Sequence, residues 1–253
     1  MRVWRRMAVP DLRPHAGPVP DTEPTAVAGG KSGTLRAAIF GVNDGLVSNL
    51  ALIMGMAGAG VGNRVVVLAG VAGLLAGAFS MAAGEYISMR VQKEVFERLI
   101  HVEAHEIGTD PEGETRELSH LFIEKGIPDD IALEAARSLM ADPLTALETH
   151  AKEELGLDPK ELGSPWGAAT SSFLTFGAGA LLPLVPYFVT QGVAAAWIAV
   201  ALSLSALFGV GASMTVFTRR PWALSGGRQL LIGGAAALVT YLVGSLLGVA
   251  AAG

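Results

Sequence analysis

The chain contains no cysteine. Disulfides, iron–sulfur clusters and thiolate zinc sites are therefore excluded, and any metal must be held by Asp, Glu, His, Met or backbone oxygen. Such ligands suit Fe2+, Mn2+, Mg2+ or Zn2+ better than Cu(I). Charge is scarce as well: charged residues make up 16% of the 253, whereas 51% are hydrophobic. An ordinary soluble domain is less apolar than this. Motifs of serine hydrolases and phosphate-binding loops are missing. Glycine, by contrast, is heavy at 32 residues, as expected where membrane helices pack closely.

The stretch that organises the rest is LRAAIFGVNDGLVSNLALIMGMAGA, residues 35–59. It is long enough to cross a hydrocarbon core, which needs about 20 apolar residues. Asn43 and Asp44 lie inside it, and a carboxylate at that depth costs several kcal/mol unless it is paired. Either Asp44 faces a structural partner, or it binds a cation or proton in transit; the second reading is the sharper one. Further spans are expected at 65–89, 167–189, 193–217 and 229–251, the third kinked by Pro183 and Pro186. Small-xxx-small pairs (Gly41/Gly45, Gly73/Gly77, Gly244/Gly248) suit close helix packing.

The charges order these spans. Lys31 and Arg36 precede the first, Arg90 and Lys93 follow the second, and Arg219, Arg220 and Arg228 fill the 4–5 loop. The 3–4 loop around Gln191 is uncharged, and the 1–2 turn has Arg64 alone. The positive-inside rule then places the N-terminus, the 2–3 segment and the 4–5 loop in the cytoplasm, and the C-terminus on the opposite side. Residues 1–33 are rich in Pro and Gly, and no apolar run follows their arginines, so they read as a flexible cytoplasmic arm rather than a secretory signal.

Residues 90–164 differ from all this. They hold 18 of the 23 acids but 8 of the 18 Lys and Arg, so their net charge is about −10. Four of the five histidines (101, 105, 120 and 150) are here too. The breakers divide the segment into helices. One continues from span 2 without Pro or Gly between Glu85 and Ile107; others start at Asp110-Pro111, at Pro128 and at Asp142-Pro143. The expected fold is all-α: five transmembrane helices with a cytoplasmic three-helix metal-binding domain between spans 2 and 3. The chain thus divides into an arm (1–33), spans 1–2 (34–89), the acidic domain (90–164) and spans 3–5 (165–253).

Two constellations carry chemistry. Met81, Glu85 and Met89 are spaced i, i+4, i+8 and share a face of span 2, with Met81 at the depth of Asp44. Carboxylate plus thioether suits a borderline cation such as Fe2+, although a methionine in a membrane helix is often packing alone. In the acidic domain, Glu103/Glu106 and Glu114/Glu117 are i, i+3 pairs on two helices folded antiparallel by the turn at Gly108–Pro111. Like charges so placed repel unless a cation bridges them. His150 stands i, i+3 and i, i+4 from Glu153 and Glu154, so three helices together supply oxygen ligands and one imidazole. The plainer alternative is a solvated acidic face. A second stripe (Glu94, Glu97, His101, His105) lies on the opposite face of its helix. Glu117-Leu-Ser-His120 matches the Glu-x-x-His of di-iron bundles, but no second such pair exists, which argues against an enzyme.

The segments GVNDGLVSNLALIMGMAGA and FSMAAGEYISM, the Glu-x-x-Glu pairs and the EELGL ending resemble the vacuolar iron transporter family over residues 35–251. The resemblance implies a homodimer of five-span subunits, a secondary transporter exchanging Fe2+ for protons and moving metal out of the cytosol. It implies that Asp44 and Met81 line the pathway, which with their neighbours would comprise Asn43, Asp44, Met81, Glu85 and Met89. It also implies that Glu103, Glu106, Glu114, Glu117 and one of Glu153 and Glu154 bind metal. Where some members carry methionine, this chain has His150-Ala151, so a harder oxygen and nitrogen site is expected. Substrates would be divalent ions (Fe2+, then Mn2+, with Zn2+ and Co2+ as further candidates), with no cofactor and no nucleic-acid partner. The alternatives are a channel or sensor without proton coupling and a Mn2+-preferring exporter.

Overall fold

Asp44 stands at the middle of the helix on which the bundle is built. In the computed structural model, which describes residues 30–159 and 163–252, that helix, α1 (Gly30–Gly58), packs against α2 (Asn63–Thr109), α6 (Pro165–Leu181), α8 (Gly192–Ser213) and α10 (Trp222–Ala252). α6 also packs on α2, and α8 on α10. No strand occurs among the described residues. Of the expected arm, residues 1–29 lie outside the described part, and 30–33 form the first turn of α1.

Missing side chains draw the helices together. A methyl group at Gly45 would strike the carbonyl oxygen of Phe176 and come within 2.9 Å of the Ala180 amide, so α1 and α6 touch backbone to backbone. Gly41 abuts the Ser172 carbonyl of the same helix. At the other end, a Cβ on Gly244 would collide with the Gly55 carbonyl, and one on Gly248 would lie 2.6 Å from that of Ala59. In this way α10 closes on α1. Such contacts substitute for the hydrophobic drive that lipid does not provide between membrane helices.

Among the described residues, four helices are long and apolar enough to cross a membrane: residues 33–58 of α1, α2, α8 and residues 222–248 of α10. α6 has 17 residues, about 25 Å. It stops at Leu181 because Pro183 and Pro186 lack the amide hydrogens that a longer helix needs. A turn then leads to the short α7 (Pro186–Val189), which packs on α8. Another short helix, α9 (Thr215–Thr218), precedes the turn into α10 at Arg219, whose φ is +51°.

α2 runs unbroken for 47 residues, about 70 Å and more than twice the ~30 Å of a hydrocarbon core. Its C-terminal part carries α3 (Pro111–Glu124), α4 (Asp129–Met140) and α5 (Pro143–Glu153). Each Asp-Pro pair starts a helix as the sequence indicates. The Asp110 carboxylate accepts from the Gly113 amide at 2.9 Å, and the Asp142 carboxylate from the Thr145 amide at 2.9 Å and its hydroxyl at 2.7 Å. Leu118, Ala132, Ala136, Ala146 and Ala151 are fully buried in this unit. α5 packs against α2, and polar side chains of the two helices meet there.

Candidate functional site

Asp44, fourteen residues from either end of α1, faces a cleft of about 260 Å³ between α1, α2 and α6. Met81 lines the same cleft from α2, together with Ser48, Asn49, Ser80 and Phe176. Helical spacing alone suggests that Asp44 and Met81 share a depth, and the structure brings both to one cleft. Met81 packs against the cluster of Ala78, Phe176 and Ala180, which holds the thioether in place.

The other residues expected along this route are distributed around it. Glu85, one turn from Met81, is mostly buried; its Oε2 has no hydrogen-bond partner among the described residues and lies 4.0 Å from the Arg36 guanidinium. Asn43 has a buried, unpartnered Oδ1 but does not line the cleft. Met89 is 6% exposed and packs with Ala37 and Ala168, two turns beyond Met81 and away from the cleft.

Asn49 belongs to the same cleft, although no spacing in the sequence marks it. It is 2% exposed, and its Nδ2 donates to the Ala180 carbonyl at 2.5 Å. That bond orients the carboxamide and leaves Oδ1 buried without a partner in the cleft wall. The available signal was its place in the NDGLVSN segment, a polar side chain within an apolar span. What the sequence does not reveal is the partner, 131 positions away.

The second site lies in the α2–α5 unit. His150 on α5 is fully buried, and its Nδ1 lies 2.9 Å from Glu103 Oε1 on α2, 3.6 Å from Glu114 Oε2 on α3 and 3.8 Å from Glu154 Oε2. Glu103 is itself 3% exposed. Donor atoms of Glu103, His150 and Glu154 all fall within 4.8 Å of one another. Close as they are, Glu103 Oε1 and His150 Nδ1 lack a directed hydrogen bond, and Nε2 has no partner either. Two buried groups left without directed hydrogen bonds, Glu103 and His150, beside the exposed Glu154 suit a cation, which has no directional proton to place. The oxygen-plus-imidazole set fits borderline divalent ions.

Glu106 and Glu117 are exposed on the rim of this cluster, where their charges act on Glu114. Glu153 points elsewhere, pairing with Lys125. Of the two acids following His150, Glu154 is the one at the cluster. His101, His105 and His120 are exposed, and His120 pairs with Glu124 at 3.4 Å.

The electrostatics follow from crowding. Burial pushes the Glu114 carboxyl up to about 7, helped by the Glu103 charge and by Glu117 and Glu106, against the opposing pull of His150. For His150, burial works to lower the pKa, but the carboxylates of Glu103, Glu154 and Glu114 override it and raise the imidazole to about 9. At neutral pH the cluster thus holds protons that an incoming metal ion must displace.

Membrane-length apolar helices around an acid-bearing cleft, joined by one unbroken helix to a buried carboxylate–imidazole cluster, define a multi-pass integral membrane protein. Residues 35–245 match the VIT family, and the chain belongs to that family. It is 36% identical over 215 residues to a vacuolar iron transporter of Acanthamoeba castellanii (84% of this chain, 74% of the relative). It is 31% identical over 208 residues to vacuolar iron transporter 1 of Tulipa gesneriana (82% and 84%). With vacuolar iron transporter 2 of Oryza sativa the identity is 32% over 209 residues (82% and 85%).

Proposed function

We propose that the protein is a secondary transporter that carries divalent metal, Fe2+ first and Mn2+ next, out of the cytosol in exchange for protons. The observation that carries this reading is the meeting of Asp44 and Met81, from two helices, at one cleft in the apolar bundle. A carboxylate offsets the desolvation of a divalent ion and returns to neutrality by taking a proton, so one group serves both cargoes in turn. The thioether adds a soft ligand that favours Fe2+ over Mg2+ or Ca2+. The names of the relatives agree with iron as substrate.

In this reading α6, the turn at Pro183 and α7 together form a fifth span, shorter as a helix but continuous as a crossing. The α2–α5 unit then lies in the cytoplasm with the N-terminus, and the C-terminus lies on the far side. The subunits pair as homodimers. Glu103, Glu114, His150 and Glu154, with Glu106 and Glu117 at the rim, collect metal before it enters the membrane. The unbroken α2 links that cluster to Glu85 and the Asp44 cleft. Flux of Fe2+, Mn2+, Co2+ and Zn2+ into proteoliposomes, with and without an imposed pH gradient, tests the reading. Flux that is independent of the gradient identifies a channel instead.

A further inference from the structure

A second cavity, of about 820 Å³, lies at the end of the bundle remote from α3–α5, between α1, α2, α7, α8 and α10. It has no part in either metal site. Its polarity changes along its length. At the loop end stand Asn63, Tyr187 and Gln191; deeper lie Val200, Leu204 and Leu238. Along α8 the lining extends from Gly192 to Leu204, a rise of about 18 Å. That is close to the ~15 Å depth of one hydrocarbon leaflet. α10 runs the opposite way and shows the same gradient, with Tyr241 towards the loop end and Gly234 deeper.

The polar end is only partly satisfied. Tyr187 is 4% exposed, and its hydroxyl has no hydrogen-bond partner among the described residues. The Asn63 Nδ2 donates to the Tyr187 carbonyl at 3.0 Å, which leaves its buried Oδ1 unpartnered. One donor and one acceptor thus remain buried and unpartnered in the wall of an apolar slot, and among the described residues no charged one lines it. Around it Val189, Val193 and Trp197 are 81%, 74% and 70% exposed, a surface that faces bilayer in a membrane-spanning chain. We infer that this cavity binds an acyl chain of a neutral or zwitterionic glycerolipid. The ester carbonyl accepts from the Tyr187 hydroxyl, and the chain runs inward along α8 and α10. Absence of lining charge disfavours selection of anionic headgroups.

Native mass spectrometry of the full-length protein, purified in detergent and titrated with phosphatidylcholine, tests this. Wild type retains one phospholipid per chain at low lipid excess. Tyr187→Phe lowers that retention about 2- to 10-fold, the loss of one hydrogen bond. Gly234→Leu abolishes it by filling the deep end; a Cβ at Gly234 meets only Leu204 Cδ2, at 3.9 Å, so the backbone tolerates the change. Leu231→Ala, on the exposed face of α10 outside the lining, leaves retention unchanged. Equal retention by wild type and by folded Gly234→Leu overturns the inference. So does rapid reaction of a Val200→Cys protein with a charged thiosulfonate in liposomes, which makes the cavity an aqueous vestibule. Slow reaction that accelerates when lipid is stripped supports it.

Discussion

His150 Nδ1 and Glu103 Oε1 lie 2.9 Å apart, both side chains almost fully buried, on helices that are not adjacent in the chain. The contact ties α5 to the far half of α2. A buried pair of this kind costs desolvation on both sides, and breaking it leaves an isolated charge. His150→Ala is therefore expected to destabilise the α2–α5 unit by about 3–5 kcal/mol. It should also weaken divalent-metal binding on the order of 10–100-fold or more. Thermal melting and calorimetry in detergent measure the two effects. A variant with wild-type affinity would show the imidazole to be a packing group.

The same cluster fixes a pH dependence. Glu114 is raised to about 7 and His150 to about 9, so in both cases the folded state holds protons more tightly than the unfolded state. The His150 contribution to stability is complete below about 6.5 and is lost as pH rises through about 9. Glu114 contributes below about 4.5 and loses its contribution as pH rises through about 7. Metal-free protein should therefore melt at a lower temperature at pH 9 than at pH 5. Metal affinity runs the other way, rising across that range because binding displaces the protons. Calorimetry in buffers of different ionisation enthalpy should show proton release at pH 7, and a titration with no release contradicts the assignment.

Much of this organisation is legible in the sequence because it rests on local chemistry. Asp110-Pro111 and Asp142-Pro143 combine a capping carboxylate with a residue that cannot extend a helix backwards, so they announce helix starts wherever they occur. The absence of breakers after Glu85 is likewise enough for the long α2. Long-range partnership is less visible. Spacing leaves Glu153 and Glu154 equivalent, and only Lys125, brought near from α3's end, separates them. Asn49 acquires its orientation from the Ala180 carbonyl on α6. Met89 shares the i, i+4 stripe with Met81, yet the approach of Ala37 and Ala168 encloses it. Helical period gives the face of a residue, and packing decides what that face meets.

Packing through glycine gives a test of the bundle. Gly45→Ala places a methyl against the backbone of Phe176 and Ala180, where no side-chain rotation relieves the clash. Separation of α1 and α6 should cost about 1–3 kcal/mol and disturb the Asp44 cleft. Gly84→Ala, where nothing lies within 4 Å of the added carbon, is the control. Melting temperatures in one detergent compare them, and equal values would mean that α1 and α6 are not held by this contact.

The cysteine-free chain permits a direct test of topology. Gln191→Cys, in the exposed connection before α8, should react with an impermeant maleimide from the non-cytoplasmic side. Arg220→Cys, exposed before α10, should react from the cytoplasm. Ser225, in the first turn of α10, is a poorer position because it is 8% exposed. Labelling of both from one side contradicts the proposed orientation.

Initial-rate uptake of Fe2+ into proteoliposomes with an inwardly acidic pH gradient, comparing wild type with Asp44→Asn, tests the central claim most directly. Asn keeps the size of Asp44 and removes the charge that offsets ion desolvation. The predicted result is gradient-dependent uptake by wild type, and uptake near that of protein-free liposomes for a folded Asp44→Asn protein whose metal binding at Glu103 and His150 is intact. Uptake by Asp44→Asn at the wild-type rate would contradict the account.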